Sequence, residues 1–212
     1  MLPLREQLLI IPTTLEQSCI GSQLESLGQA GLSSANCGVG LIESAVSGAR
    51  LISVYQPKRV WLIGIAGSFS DHLEIGQAYE FGAVSCYGVG VGNGASFQLP
   101  SDLGWQKLVK FADADRLQLD CGFDEGPELL SVTAASASRD EAEVKGAKFP
   151  MAGAEDMEAY SIALHCRAFG IKCRVIRGIS NRAGDRRHAH WKVQEAMTAA
   201  IELCATRIKE EQ

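Results

Sequence analysis

The sequence predicts an α/β fold in three layers, α/β/α, with a central mixed twisted sheet flanked by helices. Three observations predict it. Apolar runs too continuous for a half-exposed strand recur at Gln7–Ile11 (QLLII), 60–65 (VWLIGI) and 173–179 (CRVIRGI), the pattern of strands buried on both faces. Between these runs apolar residues return three and four apart, which is the helical period. The 22 glycines supply many tight turns at the joints. Strands alternating with helices imply a mostly parallel or mixed sheet covered on both faces.

At 212 residues, 46% of them hydrophobic, the chain suits a single domain spanning 1–212 with a sizeable core. The net charge of −5 argues against a nucleic-acid partner, which a basic surface would serve. No apolar run reaches the roughly 18 residues that span a bilayer. The short run after Arg5 and Glu6 reads as a strand, not a signal peptide. Seven cysteines are scattered without a CxxC pair, so reduced thiols and a cytoplasmic location are expected.

Taken in order, Gln7–Ile11 is the first strand, and Pro12 stops its ladder. Thr13 and Thr14 offer N-caps for a helix from about Leu15. Glu16 falls in the first turn, where the helix dipole favours a carboxylate. After a turn at 36–40 (NCGVG), a helix sets Leu41, Ala45, Val46, Ala49, Ile52 and Tyr55 on one packing side and breaks at Pro57. Strand 60–65 runs into Ala66 and Gly67, where glycine lets a ligand approach the backbone. Residues 75–87 read as a strand pair turning at Gly76 and Gly82. The stretch 89–96 has GxGxxG-like spacing, but no βαβ unit follows, so it reads as a loop and not a dinucleotide site. Trp105, Leu108 and Phe111 fit a short amphipathic helix. Residues 128–133 form a strand ending in Ala134, Ala135, Ser136 and Ala137. The cluster Glu155, Asp156 and Glu158 around Met157 opens a helix through Ala159, Ile162, Ala163, Cys166 and Phe169, which Gly170 ends. Ser180 and Asn181 then sit where a parallel strand meets its loop, the edge at which open α/β sheets bind ligands. A last helix from about Trp191 packs Val193, Ala196, Met197, Ala200, Ile201, Cys204 and Ile208 into the core.

Three segments in chain order, Gly64-Ile65-Ala66-Gly67, Asp156-Met157-Glu158-Ala159 and Arg177-Gly178-Ile179-Ser180-Asn181, together with Phe149-Pro150, carry a resemblance. They resemble the purine nucleoside phosphorylase and nucleosidase superfamily, and within it the futalosine hydrolases. The resemblance implies a nucleoside phosphorylase-like fold, cleavage of an N-glycosidic bond and a homo-oligomer; the residues themselves give no reason to expect a cofactor or a metal. In that oligomer a loop such as 88–100, through Phe97 and Pro100, would reach a neighbour's site. It also implies roles. Glu16 is the water-activating base. Ile65, Ala66 and Gly67 lie beside sugar and base, and backbone groups of Ala135, Ser136 and Ala137 read the purine edge. Asp156, Met157 and Glu158 form the ribose side, with Trp191 near the ribose and its 5′ substituent. Two departures stand out: Ala135 is not aromatic, so base stacking is weak or comes from elsewhere, and Ile65 lacks the hydroxyl many relatives have.

The chemistry of these residues fits. An ionised Glu158 can accept from two vicinal ribose hydroxyls, and Met157 offers a polarizable face to the sugar. Adenine-cleaving relatives carry aspartate at the position of Asn181. Asn181 cannot act as an acid, but its amide can donate to O6 or N7 of a 6-oxopurine, and the wrong base would leave buried groups unpaired. The loop Pro12-Thr13-Thr14-Leu15-Glu16 lacks an arginine for phosphate, whereas a base that activates water contributes about 10²–10⁴-fold. The expected reaction is hydrolysis of futalosine to hypoxanthine and dehypoxanthine futalosine, a menaquinone-route step. One of Arg182, Arg186 or Arg187 would pair with the substrate benzoate. His188 and His190 lack a third clustered ligand for zinc. Three alternatives stay open: a 6-oxopurine nucleoside phosphorylase, another purine nucleosidase such as one for methylthioadenosine or S-adenosylhomocysteine, and a nucleoside-binding protein without turnover.

Overall fold

The computed structural model describes residues 2–105, 115–121 and 126–211. Among them, nine strands build one mixed sheet: β1 (Gln7–Ile11), β2 (Ser33–Asn36), β3 (Arg59–Ser68), β4 (Ala78–Phe81), β5 (Ala83–Tyr87), β6 (Arg116–Gln118), β7 (Glu128–Val132), β8 (Ala152–Asp156) and β9 (Lys172–Arg182). The helices are α1 (Thr14–Cys19), α2 (Gly21–Gln29), α3 (Gly40–Tyr55), α4 (Arg139–Lys148), α5 (Ala159–Ala168) and α6 (Val193–Glu210). The strand order is β2-β1-β3-β8-β7-β5-β6, with β9 pairing both β3 and β4. Successive residues serve opposite faces. Leu8, Ile10, Val60 and Leu62 pack with Ile52 of α3 and Ile162 of α5, while Leu9, Ile11, Trp61 and Ile63 pack with Met197 and Ile201 of α6. The three-layer expectation is met, and burial on both faces is why these strands show no alternation.

The register of β3 makes room for a site. Its first half pairs with β1 up to Leu62, and its end pairs antiparallel with β8, Gly67 opposite Glu155. On that edge Ile63 to Ala66 therefore have no strand partner. On the other edge β9 runs parallel and slips register between Ala66 and Gly67, which brings Asn181 opposite Gly67. Such a bulge re-aims side chains at a strand end.

Three expectations are corrected. The inner face of α3 is Ser44, Gly48 and Ile52, and Val46 is 70% exposed. A Cβ on Gly48 would lie 2.9 Å from Ile162 Cδ1, so close approach of α3 to α5 selects small residues over apolar ones. β4 and β5 do not pair with each other: β4 joins β9, and β5 joins β6 and β7. The acidic cluster opens α5 as expected, with Glu158 at its N-cap position, but it does so from the end of an unexpected strand, β8, which closes on Glu155 and Asp156. Phe97 and Pro100 are buried in their own subunit, with Phe97 4.5 Å from the Tyr87 ring. The helix expected around Trp105 to Phe111 lies outside the described residues from 106 onward. Among the described residues no two cysteines form a disulfide, and no helix is long and apolar enough to cross a membrane.

Candidate active site

A cavity of about 330 Å³ opens where the ends of β1, β3, β7, β8 and β9 converge. Glu16, Ile65, Ala66, Gly67, Ala135, Asp156, Met157, Glu158, Asn181 and Trp191 line it.

Glu16 owes its place to a helix cap. Thr13 Oγ accepts from Glu16 N at 3.1 Å, and Glu16 Oε2 accepts from Thr13 N at 3.0 Å and Thr13 Oγ at 2.6 Å. This reciprocal capping box satisfies orphan donors of α1. Oε1 turns to the unpaired edge of β3 and accepts from Ile65 N at 2.9 Å. The capping and catalytic readings of Glu16 thus meet in one side chain: the cap aims the carboxylate.

Below the floor lies Arg177, fully buried. Its Nη2 donates to Asp156 and, at 3.4 Å, to Glu158 Oε2. Its Nε and Nη1 have no partner among the described residues. A Cβ on Gly64 would stand 2.0 Å from Nη1 and 2.9 Å from Glu16 Oε1. Gly64 therefore leaves the space in which guanidinium and base carboxylate converge. Burial opposes the charge of Arg177, but the fields of Asp156, Glu158 and Glu16 raise its pKa. Glu158 is pushed up to about 7, by burial first, with Arg177 opposing and Asp156 and Glu16 adding. Glu158 Oε1 accepts from Gly40 N at 3.0 Å, a contact that uses the positive φ of Gly40, 82°. Its remaining lone pairs are available to a ligand.

Several expected contacts are spent internally. Asp156 accepts from Ser131 Oγ at 2.5 Å, Ala159 N at 2.9 Å and Arg177, so it holds α5 and the guanidinium and has little capacity left for a ligand. Ser136 and Ala137 do not line the cavity. Ser136 gives its N and Oγ to Glu155, each at 2.8 Å, and Ala137 N donates to Glu141 at 2.9 Å. The buried donor of Ser136 must be paired and Glu155 takes it, while the exposed Ala137 N goes to Glu141. Ala135 alone of the three faces the cavity. Asn181 Nδ2 donates to Arg182 O at 2.7 Å and Asp185 O at 3.4 Å, while Oδ1 accepts from Ser180 Oγ at 2.7 Å. The donor expected at the base thus closes the 182–185 turn.

Of the three arginines, Arg182 is held by Ser68 at 3.1 Å and Asp71 at 2.6 Å, and Arg187 by Asp185 at 3.2 Å. Arg186 lines the cavity, lies 5.0 Å over the Trp191 ring and has no carboxylate partner among the described residues. Trp191 is itself fixed by a 2.8 Å bond from Nε1 to Asp185 O. Arg177 carried no role in the sequence reading, although a charged residue inside CRVIRGI must be paired. Lys145 and Glu155, which meet under the 134–137 turn, were missed as a pair because they are ten residues apart in sequence on different elements.

Known proteins share this fold. Residues 123–210 match the phosphorylase superfamily model. A 5′-methylthioadenosine/S-adenosylhomocysteine nucleosidase of Bacillus pumilus is 29% identical over 82% of this chain and 79% of its own. A futalosine hydrolase of Streptomyces coelicolor is 26% identical over 64% of this chain and 59% of its own. In structure, futalosine hydrolase of Helicobacter pylori superposes with a TM-score of 0.75 at 16% identity, covering 96% of this chain and 97% of that one. These homologues and structural neighbours are nucleosidases, hydrolases of N-glycosidic bonds. The chain is similar to the phosphorylase superfamily over residues 123–210, and to nucleosidases over longer stretches.

Proposed function

We propose that this nucleosidase hydrolyses futalosine, releasing hypoxanthine and dehypoxanthine futalosine in the menaquinone route. The observation that carries this reading is Arg186, stacked on Trp191 at the cavity without a carboxylate partner among the described residues. A guanidinium so placed suits a planar carboxylate on the 5′ substituent. Asn181 supports it, since a site without an acid at the base favours a purine that spreads departing charge onto its own O6. Glu16 takes a proton from water, the oxygen bonds to the anomeric carbon, and the C–N bond electrons leave with the purine, which is then protonated by solvent. Glu158 holds the ribose hydroxyls as the ring gains positive charge. A phosphate nucleophile would meet the Glu16 carboxylate, so water is favoured.

A second reading, cleavage of a 6-aminopurine nucleoside, draws on the equally similar methylthioadenosine/S-adenosylhomocysteine relatives and on the second lone pair of Asn181 Oδ1. Chromatography of products from futalosine, aminofutalosine, inosine and methylthioadenosine, with and without phosphate, decides. Phosphate-independent hypoxanthine release from futalosine is expected. Preferential adenine release would reject the base assignment, and phosphate dependence would reject hydrolysis.

Two further outcomes are expected. Arg186→Ala raises KM for futalosine about tenfold, as loss of a charge-assisted bond does, and leaves inosine nearly unaffected; equal effects on both would remove Arg186 from substrate recognition. Second, kcat/KM rises between about pH 6 and pH 8, because this ratio reports free-enzyme groups and acid protonates Glu158, whose pKa is about 7. A flat profile across that window would remove Glu158 from ribose binding. The exposed apolar Leu15 and Val39 at the cavity, with Ile42 and Val46 on α3, suit contact with a second copy of the chain. Light scattering showing a monomer at assay concentration would reject that oligomer.

A further inference from the structure

We propose that the buried pair Lys145 and Glu155 is the positioning device of the base-side wall; the proposal rests on the cavity being a purine nucleoside site. Lys145 projects from α4, whose sequence (RDEAEVKGAK) is polar almost throughout, yet its side chain is only 7% exposed. Its Nζ has three acceptors: Ala134 O at 2.8 Å, Ser136 Oγ at 3.0 Å and Glu155 Oε2 at 3.4 Å. An ammonium has three donors, so the set is complete. Glu155 in turn takes both the N and the Oγ of Ser136. Tyr87 lies against the ammonium, its ring centroid 5.6 Å from Nζ.

The knot grips the turn on both sides of Ala135 and leaves Ala135 to face the cavity. Glu155 also sits one residue before Asp156 on β8 and opposite Gly67 of β3. One strand end therefore sets Asp156, which holds the start of α5 below the ribose side, and anchors the wall that meets the base. A buried ion pair is seldom more stable than an apolar replacement of equal volume, so stability alone does not account for this one. Fixed geometry for backbone groups of Ala135 does, because this wall lacks an aromatic ring to hold the base by stacking.

The test compares Lys145→Arg, Lys145→Met and the double variant Lys145→Met with Glu155→Leu. Melting temperature is read beside calorimetric affinity for hypoxanthine, adenine and ribose. Lys145→Met strands the Glu155 charge and is expected to melt lower. The double variant removes both charges and should recover most of the melting temperature. A positioning role predicts that its base affinity stays at least tenfold weaker while ribose affinity changes less than twofold, and that Lys145→Arg keeps base affinity within about threefold. Wild-type base affinity in the double variant, or base and ribose affinities falling together, would overturn the proposal. A wild type that prefers adenine to hypoxanthine rejects the 6-oxopurine reading alone, and the knot is then read from adenine. A wild type that binds neither base overturns both.

Discussion

Glu16→Gln is expected to lower kcat by about 10²–10⁴-fold, the contribution of a positioned general base, while KM changes little. The fold should tolerate the change. Glutamine at the third position of a helix serves a capping box as glutamate does, and a side chain of the same length still fits between Thr13 and Ile65. Glutamine has one acceptor oxygen where Glu16 accepts on two sides, from Thr13 and from Ile65 N. One of those donors is left facing an amide NH2, at a cost of about 1–3 kcal/mol. Steady-state kinetics with a melting curve separates the effects: a small loss of stability and a large loss of kcat are expected together. An unchanged kcat in the folded variant would reject Glu16 as the base and return it to a purely capping role. Loss of folding and kcat together calls for Thr13→Ala, which breaks the cap but leaves the carboxylate, and should lower kcat far less.

The fold was legible because its strongest signals are local. Runs buried on both faces and a three-to-four period marked β1, β3, β9, α5 and α6 close to where they lie. What escaped depended on partners distant in sequence. β8 (AGAED) has too little apolar content to announce a strand, yet it is inserted between β3 and β7. The face of α3 was misassigned because hydrophobicity points to Val46, whereas proximity to Ile162 selects Gly48. In the site, most of the residues singled out by type gather at one cavity, but residue type did not give the direction of each hydrogen bond. Asn181, Asp156 and Ser136 all stand at or beside it, and each spends its polar atoms on neighbours that only the folded chain supplies. Arg177 was the clearest missed signal, since an arginine in a buried strand needs a counter-ion somewhere.

Arg177→Met is expected to produce the largest loss of stability of any single change near the site. It leaves Asp156 and Glu158 buried without their shared cation and removes a donor from Asp156. Breaking a buried pair on one side costs about 3–5 kcal/mol. For a domain of this size that is a fall in Tm on the order of 10 °C. The pH dependence identifies the cause. A carboxylate whose pKa is raised in the folded state binds more protons folded than unfolded there, so stability falls as pH rises between the two values. In the unmodified chain this window runs from the ordinary 4.5 to about 7 for Glu158, and Arg177 is what holds the upper end down. Without the guanidinium the window extends above pH 7. The gap in Tm between the two proteins should therefore be wider at about pH 8 than at about pH 6. A gap of equal size at both would show that Arg177 acts by packing, not as counter-ion to the buried carboxylates Asp156 and Glu158. A narrower gap at the higher pH would reverse the sign and reject the assignment outright.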